Sequence, residues 1–462
     1  MTSPLNVAIL AAGQGKRMHS ALPKVLHLLA GRPLIVHVLA AARALAPRAI
    51  AVVIGHGGAA VQAAIVAPDL RFVPQDPPRG TGDATRVALD ALPADGVTLI
   101  TYGDIPLVPS AVLAALVGEA EAGKLAVLTA QVPDPSGLGR IVRDGNGAVR
   151  AIVEDRDASP AQRAIDEINT GVMAAPTALL RRWVAALKPD NAQNEYYLTD
   201  IVALAVADGT PVAAHAIADE RDVRGINDRA QLAAVERIVQ MRQADALMAA
   251  GTTLADPARI DIRGTLTCGR EVRIDIGCIF EGEVVLADGV NVGPYSVLRN
   301  VSVGAGTVIA PFSHLEDSIV GAKCRIGPFA RLRPGASLDE DVHVGNFVEI
   351  KASSLGRGAK ANHLAYIGDA KVGARVNFGA GSITANYDGV NKHVTVICDD
   401  ASIGSNCVLV APVTIGGGAT IGGGSTIAED APPGQLTLAR ARQVSVASWK
   451  RPTKKARIDG KD

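Results

Sequence analysis

Ala401–Gly422 reads ASIGSNCVLVAPVTIGGGATIG. Its aliphatic-glycine pairs, Ile403-Gly404, Ile415-Gly416 and Ile421-Gly422, are spaced by multiples of six. The pairing recurs upstream at Val292-Gly293, Val303-Gly304, Val320-Gly321, Ile326-Gly327, Val344-Gly345, Ile367-Gly368 and Val372-Gly373. The step from 320 to 326 is six and the step from 326 to 344 is eighteen. Eighteen residues make three six-residue sides, one turn of a triangular coil. Each coil would turn its aliphatic residues inward to stack on the coils above and below, leaving Gly, Asn and other turn formers for the corners. A flexible Gly-rich linker carries no such periodic Val/Ile column. The pattern predicts a left-handed parallel β-helix of hexapeptide repeats over residues 251–462. Ala385–His393, ANYDGVNKH, breaks the period and reads as a loop extruded from the coil, a common place for binding groups. From Gln435 the repeat is lost, and the basic stretch WKRPTKKAR reads as solvated tail.

Immediately before the repeats, residues 227–249 lack Pro and Gly and are rich in helix formers. They predict one long helix, ended by Gly251 and connecting two domains. Residues 1–226 look different. Short apolar runs at Asn6–Leu10, Ile50–Ile54, Leu70–Val73, Val97–Tyr102 and Leu125–Gln131 alternate with helical patterns, among them Leu34–Ala46 and Thr81–Ala91. That alternation predicts βαβ units and a mainly parallel, Rossmann-like sheet. The division is therefore 1–226, 227–250 and 251–462.

Composition fits. A chain of 462 residues is long for one domain. Aromatics make up 3%, which suits thin coils built on small aliphatic side chains. Lys+Arg and Asp+Glu number 46 each, which argues against a nucleic-acid binder held by a basic field. The basic end, with eight Lys/Arg from Arg440 onward, is read as a solvated face plus one ligand contact. Cys268, Cys278, Cys324, Cys398 and Cys407 form no CxxC pair and are odd in number, so neither a disulfide framework nor a zinc site is expected. Free thiols point to a reducing compartment, the cytoplasm. No basic leader with a cleavage site and no long apolar span is expected, so no membrane partner is predicted.

The first strand runs into Ala11-Ala12-Gly13-Gln14-Gly15-Lys16-Arg17-Met18, a turn that can set backbone N–H groups around phosphate. It is not a dinucleotide fingerprint, since Met18 stands where a third Gly belongs, and it is not a P-loop. Lys24, in Leu22-Pro23-Lys24, offers an ammonium to phosphate; alone it reads more readily as an exposed surface lysine. Asp104, in Tyr102-Gly103-Asp104-Ile105-Pro106, follows an apolar strand, where open α/β sheets bind ligands. It suits Mg²⁺, which takes few protein carboxylates; a turn-forming Asp before Pro is the alternative. In the repeats, His363 is the candidate base. Arg333 and Lys351 lie one coil apart, and Tyr366 and Asn377 come from nearby coils. Glu349, two positions before Lys351 and on the same strand face, is a candidate to orient that base.

These motifs carry a resemblance. LAAGQGKRM with LPK, Gln75 with Gly80-Thr81-Gly82, Tyr102-Gly103-Asp104, Gly137-Leu138-Gly139-Arg140, Glu154, Ile168-Asn169-Thr170-Gly171 and Gly225-Ile226-Asn227 are similar to the sugar-nucleotide pyrophosphorylases. With the β-helix, the whole chain resembles the bacterial bifunctional UDP-N-acetylglucosamine pyrophosphorylase / glucosamine-1-phosphate N-acetyltransferase family. The resemblance implies a bifunctional transferase: acetyl-CoA acetylates glucosamine 1-phosphate, then UTP and Mg²⁺ convert the product to UDP-N-acetylglucosamine and pyrophosphate, feeding cell-envelope synthesis.

The resemblance also implies roles. Leu10, Ala11, Ala12 and Gly13 would approach the nucleotide, with Tyr102 and Gly103 beside them. Gln75, Gly80 and Thr81 would read uracil, and Arg17 and Lys24 would bind the triphosphate. Gly139, Glu154 and Asn169 would hold the N-acetylglucosamine part, and Asp104 and Asn227 would coordinate Mg²⁺. His363 would be the acetyl-transfer base, while Arg333, Lys351, Tyr366 and Asn377 would bind glucosamine 1-phosphate. Ala380, Asn386, Tyr387, Ser405, Gly423 and Arg440 would contact acetyl-CoA. Family members often carry Ala where this chain has Gly423. A homotrimer, with acetyl-CoA sites shared between subunits, is likewise an implication of the family.

Two rivals have distinguishing features. A monofunctional nucleotidyltransferase with a merely assembling β-helix would not need His363 or the 385–393 loop. A non-catalytic scaffold would not need the Gly turn, Lys24 and Asp104.

Overall fold

The computed structural model describes residues 3–65 and 67–454. It divides into two compact units, Met1–Ala249 with Pro257–Thr265, and Ala250–Asp256 with Leu266–Asp462.

In the first unit, alternation of apolar side chains builds a sheet covered on both faces. Strand order is Val212–Ala216, Leu125–Gln131, Glu167–Pro176, Val97–Tyr102, Leu5–Ala11, Ala49–Ile54 and Leu70–Pro74. All neighbours run parallel except Glu167–Pro176, which is antiparallel to both strands beside it. Val7, Ile9, Val52 and Leu99 face the helices Leu34–Arg43 and Ser110–Glu121. Ala8, Leu10, Val53 and Ile100 face Thr81–Ala91 and Thr177–Ala186. Strands buried on both faces read as continuous apolar runs, the signature of such sheets. Between Leu5–Ala11 and Val97–Tyr102 the strand order reverses, and the carboxyl ends of those two strands open a crevice.

Leu34–Arg43 stops three residues short of the expected Ala46. Leu45 and Ala46 N–H turn to the carbonyls three residues back, and Ala46 takes φ 50°. Pro47 announces a stop, but the alanine-rich run does not show that the chain tightens over the residues just before it. The long helix is Arg229–Ala249. Its Val235 packs with Leu29, Leu34 and Ile226, and Glu236 accepts 2.8 Å from the Ala30 N–H.

The second unit is the left-handed parallel β-helix. Val292, Ile309, Ile326, Val344, Ala361 and Phe378 form one buried column, each in register with the next. Steps of 17 are commoner than the expected 18: Ala361 to Phe378 is 17 and Ile326 to Val344 is 18. Phe378 to Ile403 is 25, because the chain leaves the coil after Ala385 and re-enters at Thr395. The glycine that follows Val292, Ile326, Val344 and Phe378 permits close stacking. At Gly345 an added Cβ would fall 1.9 Å from the Asn362 carbonyl oxygen of the next coil.

Corners depart from expectation. Tyr295, Phe312, Phe329 and Phe347 all occupy left-handed φ of 57–60°. Their rings stack along the outside with centroids 5.1–5.3 Å apart. The repeat also outlasts Gln435, since Leu436–Thr437 pairs in parallel with Thr420–Ile421. Backbone hydrogen bonds extend the coil there although the sequence has stopped repeating. The basic stretch 449–457 runs beyond the described residues at 454.

Candidate functional sites

The Gly-rich turn closes on Lys24. Gly15 has φ 60°, and a Cβ there would lie 2.7 Å from Lys24 Cβ, so a side chain at 15 would push the lysine away. Lys24 is drawn inward instead. Its ammonium donates to Asp104 Oδ2, at the end of strand Val97–Tyr102, and to Asn227 Oδ1 at 3.0 Å. Those partners are 80 and 203 residues away in sequence. Two side-chain oxygens thus converge on one cation, and hard oxygen ligands in small number are what Mg²⁺ takes from protein. No cluster of three His, Cys, Asp or Glu able to hold a metal occurs among the described residues.

Beside this triad lies a cavity of about 510 Å³ at the strand-order reversal. Leu10, Ala11, Ala12, Gly13, Lys24, Gln75, Gly80, Thr81, Tyr102 and Asp104 line it, all expected from the sequence. Gly103 ties the two central strands, its N–H donating 3.0 Å to Leu10 O. Gln14, Lys16 and Glu195 also line the cavity and were not singled out in the sequence. Arg17 does not line it, and lies exposed on the short 3₁₀ turn Lys16–Met18 while its neighbour Lys16 faces in. A three-residue turn puts adjacent side chains on different sides, which the motif alone does not resolve.

Gly139, Glu154 and Asn169 form a second group. Asn169 N–H donates 2.8 Å to Gly139 O, and the Glu154 carboxylate lies against the Gly139 Cα. Thr199 Oγ1 donates 3.1 Å to Glu154 Oε1. Burial pushes the Glu154 carboxyl above its ordinary range, with Asp200 and Asp157 adding to the rise. Tyr102 connects the two groups. Burial, then the charges of Glu154 and Asp104, push its hydroxyl well above the usual phenol range.

On the β-helix, His363 stands exposed with Nδ1 2.8 Å from Asn346 Oδ1. Asn346 is in register with His363 on the preceding coil. The Asn346 side chain ties Nδ1, which leaves Nε2 for a substrate. Glu349, expected to orient the histidine, instead accepts 2.8 Å from Arg333 Nη1 and lies 3.7 Å from Arg331. It is in register with Tyr366, not His363.

Arg333 lies within electrostatic reach of Tyr366. The Lys392 ammonium, from the 385–393 loop, meets that of Lys351, which pulls the Lys392 pKa down. Tyr366 and Asp369 face the same pair. Lys392 escaped sequence reading, although the irregular loop that carries it did not. Asn377 is exposed in the adjoining strand row, in register with Lys360.

Further up the coil, Ala380 O accepts 2.8 Å from Asn406 N–H, and Ser405 O accepts 2.8 Å from Gly424 N–H. Arg440 Nη1 donates 2.7 Å to Gly423 O. A Cβ on Gly423 would lie 3.3 Å from Ser405 O, so an alanine there needs only a small adjustment. Asn386 is buried and donates to Asp369, while Tyr387 is exposed.

All five cysteines are free, and burial pushes Cys278 up to about 11. Among the described residues no helix is long and apolar enough to cross a membrane.

Comparison with known proteins gives this geometry a context. Residues 7–249 match the MobA-like NTP transferase domain, and residues 262–355 match the GMPPB C-terminal domain. The chain is 57% identical over 458 residues to the bifunctional protein GlmU of Methylibium petroleiphilum, covering 98% of this chain and 100% of that one. It is 55% identical to bifunctional protein GlmU of Ralstonia pickettii over 451 residues, 97% of this chain and 99% of that one. It is 57% identical to the Bordetella parapertussis protein of the same name over 457 residues, 98% of this chain and all of that one.

Proposed function

The chain belongs to the bifunctional GlmU family, and from that premise we propose that it makes UDP-N-acetylglucosamine in two steps at two sites, one on each unit. The assignment of residues 1–226 to uridylyl transfer, 227–250 to a connecting helix and 251–462 to acetyl transfer is part of this reading. The observation that carries it is chemical. One site offers cations and a phosphate turn, and the other unit offers a histidine held by Asn346 together with paired ammonium groups.

Acetyl transfer needs a base because an ammonium must lose a proton before its nitrogen can attack. Arg333, Lys351 and Lys392 hold the sugar phosphate, with Tyr366 and Asn377 completing the pocket. The ammonium first gives one proton to solvent; as the neutral amine then attacks the thioester carbon, His363 Nε2 takes a second proton from its nitrogen. The C–S bond then breaks, and the same proton goes to the departing coenzyme A sulfur. Ala380, Asn386, Tyr387, Ser405, Gly423 and Arg440 line the path of acetyl-CoA.

Uridylyl transfer needs no base, since the N-acetylglucosamine 1-phosphate oxygen is already anionic; alignment and charge suffice. Backbone N–H groups of the 10–13 turn and Lys24 hold the triphosphate, with Lys16 at the cavity wall. Arg17 acts from the exposed side of that turn. Gln75, Gly80 and Thr81 take the base, and Gly139, Glu154 and Asn169 hold the sugar. Tyr102 and Gly103 form the floor between them. Asp104 and Asn227, with two oxygens already converging on one cation, would hold Mg²⁺, which supplies charge neutralisation on the phosphates. A homotrimer acting in the cytoplasm completes the proposal, supported by the family and by five free thiols.

A split assay tests it. The purified protein receives glucosamine 1-phosphate, acetyl-CoA, UTP and Mg²⁺, with free thiol and pyrophosphate followed separately. Release of both, with pyrophosphate dependent on acetyl-CoA, is expected. Pyrophosphate from N-acetylglucosamine 1-phosphate with no thiol release from glucosamine 1-phosphate would leave the β-helix without its proposed reaction.

A further inference from the structure

The side-chain amide of Gln75 is held from behind the nucleotide cavity. Gln75 is 5% exposed and lines the cavity. Its Nε2 donates 3.1 Å to Gly80 O and 2.9 Å to Asp83 Oδ2. A carbonyl and a carboxylate are acceptors only, so turning the amide over would set oxygen against oxygen. The orientation therefore follows from the partners, whichever way an amide might otherwise be placed. Asp83 is 7% exposed and is not among the residues lining the cavity. Its second oxygen is taken by Arg86 Nη2 at 2.6 Å. A carboxylate in the first turn of Thr81–Ala91 also suits the helix dipole. That accounts for its charge but not for the buried bond to Gln75.

We propose that Asp83 is a positioning residue that fixes the Gln75 amide with Oε1 toward the cavity, and so selects a pyrimidine that carries a proton on N3. The inference rests on the reading of Gln75 as the base contact. Both Nε2 protons are spent behind the cavity. Oε1 receives no hydrogen bond among the described residues, so it is the amide atom left for a ligand. Uracil presents N3–H, a donor, to such an acceptor. Cytosine presents a lone pair at N3 and would set acceptor against acceptor. A site built to hydrogen-bond one partner rejects the mismatched one strongly, because buried polar groups are left unpaired. Asp83 thus acts on substrate choice without touching substrate.

The test uses the full chain and measures kcat and KM for UTP and for CTP, with N-acetylglucosamine 1-phosphate and Mg²⁺. Asp83→Asn keeps the shape, but Arg86 holds its Oδ1 and turns its NH₂ toward Gln75, so Gly80 O alone still opposes the turned-over amide. The UTP-to-CTP ratio of kcat/KM is expected to fall at least about tenfold, through KM for the nucleotide, with acetyl transfer unchanged. A merely structural role would lower both nucleotides alike, and an unchanged ratio overturns the inference. Asp83→Ser, whose hydroxyl can donate or accept, is expected to move the ratio in the same direction and serves if the Asn variant misfolds. Gln75→Ala separates the two layers. If it leaves the ratio at the wild-type value, the base-contact reading itself is wrong. If it collapses the ratio while Asp83→Asn does not, only the positioning role falls.

Discussion

The two units solve the problem of placing chemistry on a β-structure in opposite ways. In the α/β unit the strands are buried on both faces, so ligand groups can come only from strand ends, and the site gathers where strand order reverses. The β-helix spends its inward positions on a mostly aliphatic column. Its functional side chains project from outer faces and are aligned by coil register. One unit brings together residues 203 positions apart, and the other stacks neighbours about 17 apart. The first design encloses and suits phosphate transfer by charge. The second exposes, so an ordered base and an extruded loop must define the pocket.

Substitutions that silence one site and spare the other probe this independence most strongly. His363→Ala is expected to lower acetyl transfer by roughly 10²–10⁴-fold, the usual contribution of a positioned base, with uridylyl transfer at the wild-type rate. Equal loss of thiol and pyrophosphate release would refute separate sites. Asp104→Ala is expected to do the reverse, lowering pyrophosphate release by roughly 10²-fold or more. Its Mg²⁺ titration should shift to higher concentration; an unchanged titration would remove Asp104 from the metal.

A smaller effect is expected at the partner of the base. Asn346→Ala frees His363 Nδ1 and lets both tautomers populate, so kcat for acetyl transfer should fall roughly tenfold, a fraction of what the base supplies. The pH profile of kcat/KM should move as well. A drop with an unmoved profile would mean that Asn346 only supports the coil.

This residue also shows what was legible beforehand. The six-residue pattern announced the β-helix, and Val97–Tyr102 and Leu125–Gln131 could be drawn to the residue from their apolar runs. The pattern did not announce that many coils step by 17. Counting 18 back from His363 reaches Gly345, whereas 17 reaches Asn346, its true neighbour. Glu349 was chosen because strand alternation was known and register was not. Likewise the convergence of Lys24, Asp104 and Asn227 is a tertiary fact that no local spacing encodes; it was expected only through family resemblance. The antiparallel insertion of Glu167–Pro176 left no periodic trace, whereas the outward aromatic corners, Tyr295, Phe312, Phe329 and Phe347, recur at the coil step of 17 or 18 and carry a signal that the aliphatic-glycine pairs alone do not use.

The α/β site has a pH signature of its own. Burial raises the Glu154 pKa, so on acidification its carboxylate is protonated at higher pH than an ordinary glutamate. Above that pH the charged acceptor is present; below it the acceptor is lost. KM for N-acetylglucosamine 1-phosphate should therefore rise as pH falls toward the mildly acidic range, by roughly the severalfold value of one charged hydrogen bond. Glu154→Gln should raise KM at neutral pH and flatten this dependence. A KM that still rises identically in Glu154→Gln would assign the titration elsewhere.

The smallest expected effect concerns stability and the different places where the two units keep their aromatic or aliphatic bulk. Leu99 is fully buried in the central strands, and Leu99→Ala should cost about 2–5 kcal/mol through lost burial and the cavity left behind. Phe329 is 46% exposed, yet its ring stacks on Phe312 at 5.1 Å and on Phe347 at 5.2 Å. Two such ring pairs are worth about 1–3 kcal/mol together, at about 0.5–1.5 each. The corner keeps its left-handed turn in Phe329→Ala, because alanine meets the same steric penalty at φ 57° as phenylalanine. The loss therefore isolates the rings, and thermal unfolding of the β-helix should shift down by a few degrees with both activities intact. A Phe329→Ala protein that melts like the wild type would mean that the outward ladder adds nothing to the coil, whose stability would then lie entirely in its buried column.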